Sequence, residues 1–489
     1  MTTASLPRST PESHGIAPAA IARFVQAIEE NGLELHSLML VKDGEVVAEG
    51  WWHPYKRDLK HSLFSLSKSF TSSAIGMAVA EGLLSLDDRV VSFFPDDMPV
   101  EPGANLEAMQ VRHLLMMGTG HTADTMDALH RAEDGNWVQA FLACPVDKAP
   151  GTHFLYNTGA TYMLSAILHK VSGLDLLDYL QPRLMEPLGI EGAVWERCPR
   201  GLSVGGFGLS ITTEDIARFG LLYLNKGVWN GRQLLAADWI EEATSKRISN
   251  GDGDDGDSDW TQGYGYQFWR CRHGAYRGDG AFGQYCVVMP DQGAILAMTG
   301  GTNNLQGVLD QVWAHLLPEM QPTAASFADD VTDSETTTET GEALRQRLRG
   351  LQLTYPASER SSALEEEISG QSYRLEPNEW SWTTLAIRFT DNEAILKLSV
   401  GEKGGTVHCG RNDWAISESD LLTPLPTKVA SRMTWESPER LLLILRFIET
   451  PFCLSVALDH EGDGSVTLTC SMNVGFGKQE SFKLAGRMC

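Results

Sequence analysis

Ser65 and Lys68 stand three positions apart in Phe64-Ser65-Leu66-Ser67-Lys68-Ser69-Phe70. The apolar spacing of Ile75, Met77, Val79 and Leu83 predicts a helix over 65–83 that opens on this segment. On such a helix the two side chains share one face within a turn. A serine hydroxyl is a poor nucleophile until a neighbour takes its proton. A lysine in an apolar site loses ammonium character by desolvation and can be that neighbour. A helix N-terminus also aims free N–H groups toward the serine. Ser-x-x-Lys alone arises by chance in most chains of 489 residues, so the pair needs company.

Two further stretches supply it. Phe154-Leu155-Tyr156-Asn157-Thr158-Gly159 follows Pro150-Gly151 and precedes an apolar helix predicted over 162–171. A tyrosine on that loop can lie against the Ser–Lys pair and pass a proton to a leaving group, although a lone tyrosine is more often a packed aromatic. Arg277-Gly278-Asp279-Gly280-Ala281-Phe282-Gly283-Gln284-Tyr285 leads into a predicted strand. Small residues there let a substrate backbone approach and let an amide N–H face an oxyanion.

In this order, Ser-x-x-Lys, the Tyr156 loop and a Gly-rich strand resemble the layout of serine β-lactamases and penicillin-binding proteins. Order, spacing and flanks are similar to the class C branch, with its esterases and 6-aminohexanoate-dimer hydrolases. Supporting stretches are Gly15-Ile16, residues 46–52, Arg112-His113-Leu114-Leu115-Met116-Met117-Gly118-Thr119-Gly120, Met185-Glu186-Pro187-Leu188-Gly189-Ile190 and Gly206-Phe207-Gly208-Leu209. The resemblance covers residues 10–318. It implies a β-lactamase/transpeptidase-like α+β fold, with an antiparallel sheet flanked by helices and a helical subdomain. It also implies Ser65 as acylated nucleophile, Lys68 as base and Tyr156 as second proton carrier. Asn157, Thr158, Asp279, Gly280, Ala281 and Phe282 would line the substrate and oxyanion side, and no metal or organic cofactor is implied. The expected activity is hydrolysis of a small-molecule ester or amide. The alternatives are a β-lactamase or D-amino-acid peptidase and, in another class, a non-catalytic binding protein on the same fold.

Two departures from the family pattern stand out. The third position of the Tyr-x-Asn motif is Thr158, with Asn157 one residue early. The third motif normally carries Lys or His, which holds a substrate carboxylate. Here its place falls on Asp279, or on Ala275 in a gap-free alignment, and Arg277 or His273 substitutes only if the strand register allows it.

Three other motifs carry less. Gly201-Leu202-Ser203-Val204-Gly205 has the letters of a nucleophile elbow, without the strand before and helix after that the elbow needs. Gly278-x-Gly280-x-x-Gly283 matches a dinucleotide fingerprint but leads into a strand. Residues 252–259 look like a calcium loop but lack the closing Glu of an EF-hand, so a solvated loop is expected.

These residues need a scaffold, and the pattern divides the chain. Residues 1–318 read as one α+β domain: a helix over 18–30, a hairpin of 36–41 and 46–52 through Asp43-Gly44, and helices up to 243. Strands at 264–270, 284–289 and 294–299 and a helix over 305–317 follow. Both ends would meet in one antiparallel sheet with a helical insertion. Residues 319–345 are acidic and polar and read as a linker. Residues 346–489 read as a β-rich domain, a small barrel or meander, with strands at 385–389, 394–400, 441–447, 453–458 and 465–470. This tail resembles, less specifically, the β-domains appended to some of these enzymes.

Composition narrows the function classes. Lys+Arg total 39 against 64 Asp+Glu, a net charge of −25 that repels phosphate backbones and anionic lipid. No nucleic-acid or membrane partner is therefore expected. No apolar leader follows the start, no apolar run could span a bilayer, and the eight cysteines form no CxxC pair. A cytoplasmic protein with reduced, mostly buried thiols is expected.

Overall fold

The structure is a computed structural model describing residues 5–251, 256–320, 334–354, 359–401, 403–419, 427–477 and 481–489, with only the backbone for 334–339. The chain forms two compact units. One comprises residues 1–50, 62–300 and 304–350; the other comprises 51–61, 301–303 and 351–489.

The first unit is built on a six-stranded sheet. Its order is Glu45–Trp51, Leu35–Lys42, Ala294–Gly300, Gln284–Met289, Tyr276–Gly280 and Trp269–Arg270. The two ends of the unit pair antiparallel, with Leu38 opposite Met298 and Val41 opposite Ile295, as the strand pattern predicted. The Asp43-Gly44 turn has both residues at positive φ, 51° and 87°, the geometry whose twist suits a two-residue hairpin. The helix Thr213–Leu224 packs on the sheet. It approaches closely because Gly220 lacks a side chain: a Cβ there would meet Ile295 Cγ2 at 2.7 Å and Cys286 Sγ at 2.9 Å.

The helix Ser67–Ala80 is buried from Ser67 to Ala78. Its serines and threonines look misplaced in a core, yet all but Ser72 find partners, as most buried hydroxyls do. Ser69 Oγ donates to the Gln267 carbonyl at 2.8 Å and Thr71 Oγ1 to the Gly205 carbonyl at 2.8 Å. Ser67 Oγ accepts from Leu209 N at 3.1 Å, and Ser73 Oγ and Tyr223 OH lie 2.8 Å apart. The polar face of this helix therefore pins the loops around its N-terminus.

Three local expectations differ from the structure. The helix expected over 65–83 starts at Ser67, and Phe64–Leu66 forms a 3-10 turn. Of the strand expected over 264–270 only Trp269–Arg270 exists, because Gln267 turns at φ 65° and spends its amide on the Leu114 and Leu115 carbonyls. The Gly-rich strand ends at Gly280, and Ala281–Gly283 is a turn with Phe282 at φ 68° and Gly283 at φ 98°.

In the stretch expected to be a linker, residues Ser334–Arg349 are helical. Leu344 and Leu348, one turn apart, are buried, and Arg347 pairs with Glu29 of the first helix at 3.0 Å. Good helix formers from Glu342 to Arg349 outweigh the acidic composition there.

In the second unit the strands run Lys403–Gly410, Glu393–Val400, Trp382–Phe389, Ser372–Leu375, Phe482–Met488, Ser465–Met472, Cys453–His460, Arg440–Phe447 and Thr427–Ser437. A parallel bridge between Gly410 and Arg432 closes them into a nine-stranded barrel, and Ala415–Ser419 adds to the outside of Thr427–Ser437. Alternate residues such as Ala394, Leu396 and Leu398 point into an apolar core with Trp382, Leu443, Val456 and Leu468. All eight cysteines are free thiols, six of them buried. Among the described residues no helix is long and apolar enough to cross a membrane.

Candidate active site

Ser65 lies in the 3-10 turn just before the buried helix, and Lys68 in that helix's first turn. The change from 3-10 to α-helix leaves Lys68 Nζ 3.1 Å from Ser65 Oγ. Phe64 is held at φ 49°, an uncommon region for a bulky residue, and its ring meets Phe282 edge-on at 5.4 Å. The strand Tyr276–Gly280 passes directly behind this turn. A Cβ on Gly280 would stand 2.0 Å from the Leu63 carbonyl oxygen, and one on Gly278 would stand 2.5 Å from Leu66 Cδ1 and Ser69 Oγ. These two positions need glycine because backbone meets backbone or core.

Lys68 is 1% exposed. Its ammonium donates to the Gly206 carbonyl at 2.7 Å and lies 3.4 Å from Thr158 Oγ1. Burial pulls its pKa down to about 7, and the Asp124 and Asp279 carboxylates only partly oppose this. At neutral pH a large fraction of Lys68 is therefore the free amine, able to accept the Ser65 proton.

Tyr156 precedes the helix Thr158–Ser172. Its ring centroid lies 4.9 Å from Lys68 Nζ. Burial, with Asp279 and Asp124 adding to it, pushes the phenol well above its ordinary pKa. Tyr156 thus keeps its proton at neutral pH and can donate it but not serve as a tyrosinate base. Trp269 stacks on its ring at 5.4 Å with planes 19° apart, and Tyr264 meets it edge-on.

The other expected residues divide. Thr158, not Asn157, turns to Lys68. Asn157 is fully buried, and its Oδ1 accepts from Thr125 N and Thr125 Oγ1 at 3.1 and 2.8 Å. It shapes the loop and is not brought to the nucleophile, because the helix starting at Thr158 turns the preceding side chain the other way. Asp279 lies near enough for its charge to act on the lysine and the tyrosine, but it is 9% exposed and bound to Arg277. Ala281 and Phe282 belong to the turn after the strand, with Ala281 half-buried and Phe282 buried.

The register question also has an answer. Arg277 and Asp279 lie two apart on one strand face, so Arg277 does point the same way, but its side chain is fully buried and paired. His273 is exposed beside Trp313, and Ala275 precedes the strand.

The decoys are accounted for. Ser203 is buried, donating from Oγ to Asp175 Oδ2 at 2.6 Å while its N–H donates to Oδ1 at 2.7 Å. The Gly278–Gly283 match spans a strand and a turn. Of the calcium-like loop, residues 252–255 lie outside the described residues. Asp259 is buried and accepts from Arg272, Gln306 and Trp313.

Four participants went unseen in the sequence reading: the Gly206 carbonyl, Asp124, Trp269 and Tyr264. Only Gly206 had a signal, in the Gly206-Phe207-Gly208 stretch. Asp124 accepts from Thr158 N through both oxygens at 3.1 Å, at the mouth of the helix that follows Tyr156.

The chain is similar to several known proteins. A family model described as Beta-lactamase matches residues 21–311. The 6-aminohexanoate-dimer hydrolase of Paenarthrobacter ureafaciens is 23% identical over 44% of this chain and 58% of its own length. The lovastatin esterase of Penicillium rubens is 28% identical over 26% of this chain and 37% of its own. The chain thus spans about half the length of the curated relatives it matches. Among solved structures, a penicillin-binding protein homologue from Caulobacter crescentus aligns with a TM-score of 0.50 at 20% identity. It covers 62% of this chain and 99% of that one. With more than half of its length matched and the three expected motifs gathered around Ser65, the chain belongs to the beta-lactamase family.

Proposed function

We propose that this protein is a serine hydrolase that cleaves a small ester or amide through an acyl-enzyme on Ser65. The observation that carries the reading is the contact of 3.1 Å between Ser65 Oγ and a buried Lys68 whose pKa is lowered to about 7. Lys68 takes the serine proton as Oγ attacks the carbonyl carbon. Tyr156, held protonated by burial, gives its proton to the leaving oxygen or nitrogen and is reprotonated from Lys68. Water then attacks the acyl carbonyl, with the same pair moving the protons back. The N–H groups of Ser65 and of the turn after Gly280 stabilise the oxyanion. Family relatives named as a 6-aminohexanoate-dimer hydrolase and a lovastatin esterase support this bond class.

A fluorophosphonate label followed by peptide mass mapping tests the proposal. The expected adduct is on Ser65. Ser65→Ala should abolish labelling and p-nitrophenyl butyrate hydrolysis, whereas Ser203→Ala should keep most activity. An adduct on Ser203, or full activity in Ser65→Ala, refutes the reading.

A further inference from the structure

Five aromatic side chains from two segments meet beside the nucleophile. Trp269 lies flat on Tyr156, with ring centroids 5.4 Å apart and planes at 19°. Tyr264 stands edge-on to Trp269 at 4.9 Å and 84°. Phe154 closes on Tyr264 at 5.3 Å and on Trp269 at 5.8 Å, and Trp260 lies 6.4 Å from Trp269. The series starts at Lys68, whose Nζ is 4.9 Å from the Tyr156 ring. Tyr264 and Trp269 are buried, whereas Phe154, Tyr156 and Trp260 keep part of their surface in solvent. Rings that only filled the core would be covered; these leave an apolar edge open beside the reacting groups.

The wall is braced from within. Trp260 follows Asp259, the last residue of the calcium-like loop. The Asp259 carboxylate is buried and accepts from Arg272 Nη2 at 2.8 Å, Gln306 Nε2 at 2.8 Å and Trp313 Nε1 at 2.9 Å. Its carbonyl accepts from Arg277 Nη1 at 2.7 Å. The Arg277 guanidinium lies 4.2 Å from the Trp260 ring and 5.5 Å from the Trp269 ring, cation–π contacts that hold both indoles. Arg277 is itself fully buried and spends its charge on Asp279, donating from Nε at 2.7 Å. The wall thus offers ring surface and keeps its cation out of solvent.

We propose that Phe154, Tyr156, Trp260 and Trp269 form the leaving-group subsite, and that it takes an uncharged aromatic or apolar group carried on the leaving oxygen or nitrogen. This deepens the serine-hydrolase reading and rests on it for the kinetic arm of its test. In that reading Tyr156 protonates the leaving atom, so the atom must lie at the Tyr156 hydroxyl. Whatever it carries then lies along the rings that continue from Tyr156. A flat apolar group there leaves water and meets ring faces and edges. A carboxylate on the same group would be desolvated against apolar surface. The group that could meet it is Arg277 Nη2, which has no hydrogen-bond partner among the described residues but is buried.

The test uses the full chain and three acetates whose leaving alcohols are similar in acidity: methyl, benzyl and para-carboxybenzyl acetate. The kcat/KM for benzyl acetate should exceed that for methyl acetate by about 10- to 100-fold, the gain from covering one aromatic ring. The para-carboxybenzyl ester should be poorer than the benzyl ester. Trp260→Ala should cut the benzyl-to-methyl ratio about fivefold or more, and Trp260→Phe, which keeps a ring, should retain most of it. Equal rates for benzyl and methyl acetate, or an unchanged ratio in Trp260→Ala, would overturn the proposal. A preference for the para-carboxybenzyl ester would also overturn it and assign Arg277 to a carboxylate. Saturation-transfer NMR with benzyl alcohol reads the subsite without turnover. Transfer to the benzyl ring should be seen in Ser65→Ala and should largely disappear when Trp260→Ala is added, even if Ser65 were not the nucleophile. No transfer, or transfer indifferent to Trp260→Ala, would reject the subsite.

Discussion

Lys68 shows how burial can fit an ordinary residue for the role of base proposed above. An exposed lysine titrates near ~10.4 and could not accept a serine proton at neutral pH. In the core of this unit, desolvation outweighs two nearby carboxylates and brings the value to about 7. In the proposed mechanism the active form is the free amine, so kcat/KM should rise with pH and level off above a midpoint near 7. A profile flat from about pH 5 to about pH 9 would contradict the assignment. No descending limb from Tyr156 should appear in that range, because its phenol is pushed upward. Lys68→Ala and Tyr156→Phe should each lower kcat about 10²–10⁴-fold, the range for a lost acid–base group. Wild-type kcat in both would dismiss the proton relay.

At the scale of elements, the site depends on close approach between the Ser65 turn, the strand behind it and the helix it opens. Gly280→Ala would drive a methyl to 2.0 Å from the Leu63 carbonyl, a backbone atom that cannot rotate away. A loss of about 1–3 kcal/mol in urea unfolding is expected, together with loss of activity. A fully active, equally stable variant would show that the strand sits further from the turn. Thr71 fixes the other wall. Its hydroxyl holds the Gly205 carbonyl, next to the Gly206 carbonyl that binds Lys68. Thr71→Val keeps the shape but leaves that carbonyl unmet. It should cost about 1–3 kcal/mol and lower kcat more than KM, which pH-profile and Michaelis measurements would detect.

At the scale of the molecule, charge is expected to discriminate among candidate substrates. The chain carries a net charge of −25, and the buried cation near the site is already paired. A β-lactam carboxylate would meet no free cation there and would be desolvated at a cost. Neutral esters and small amides face no such cost. The kcat/KM for p-nitrophenyl butyrate should far exceed that for nitrocefin. Added salt should narrow the gap slightly by screening the long-range repulsion. Nitrocefin turnover equal to or above the ester's would reject this and direct attention to whether Arg277 can be freed from Asp279.

The sequence by itself determined much of this protein. The spacing of Ser65 and Lys68, the Tyr156 loop, the Asp43-Gly44 hairpin and the pairing of both chain ends were legible because they are local patterns or follow from few topologies. The five barrel strands read as apolar runs between Gly, Asn and Asp turns were legible for the same reason. Strands such as Lys403–Gly410, with three glycines, and the mixed Thr427–Ser437 were not, since only their neighbours in the barrel bury them. Tertiary structure alone decided which of two adjacent polar residues faces the lysine. Thr158 does and Asn157 does not, because the helix start sets the direction of each side chain. It also decided what Asp279 means. In the sequence it is an acid in place of a base; in the fold, the strand puts Arg277 on the same face two residues away and burial closes over both, so the substitution becomes an ion pair beside the site.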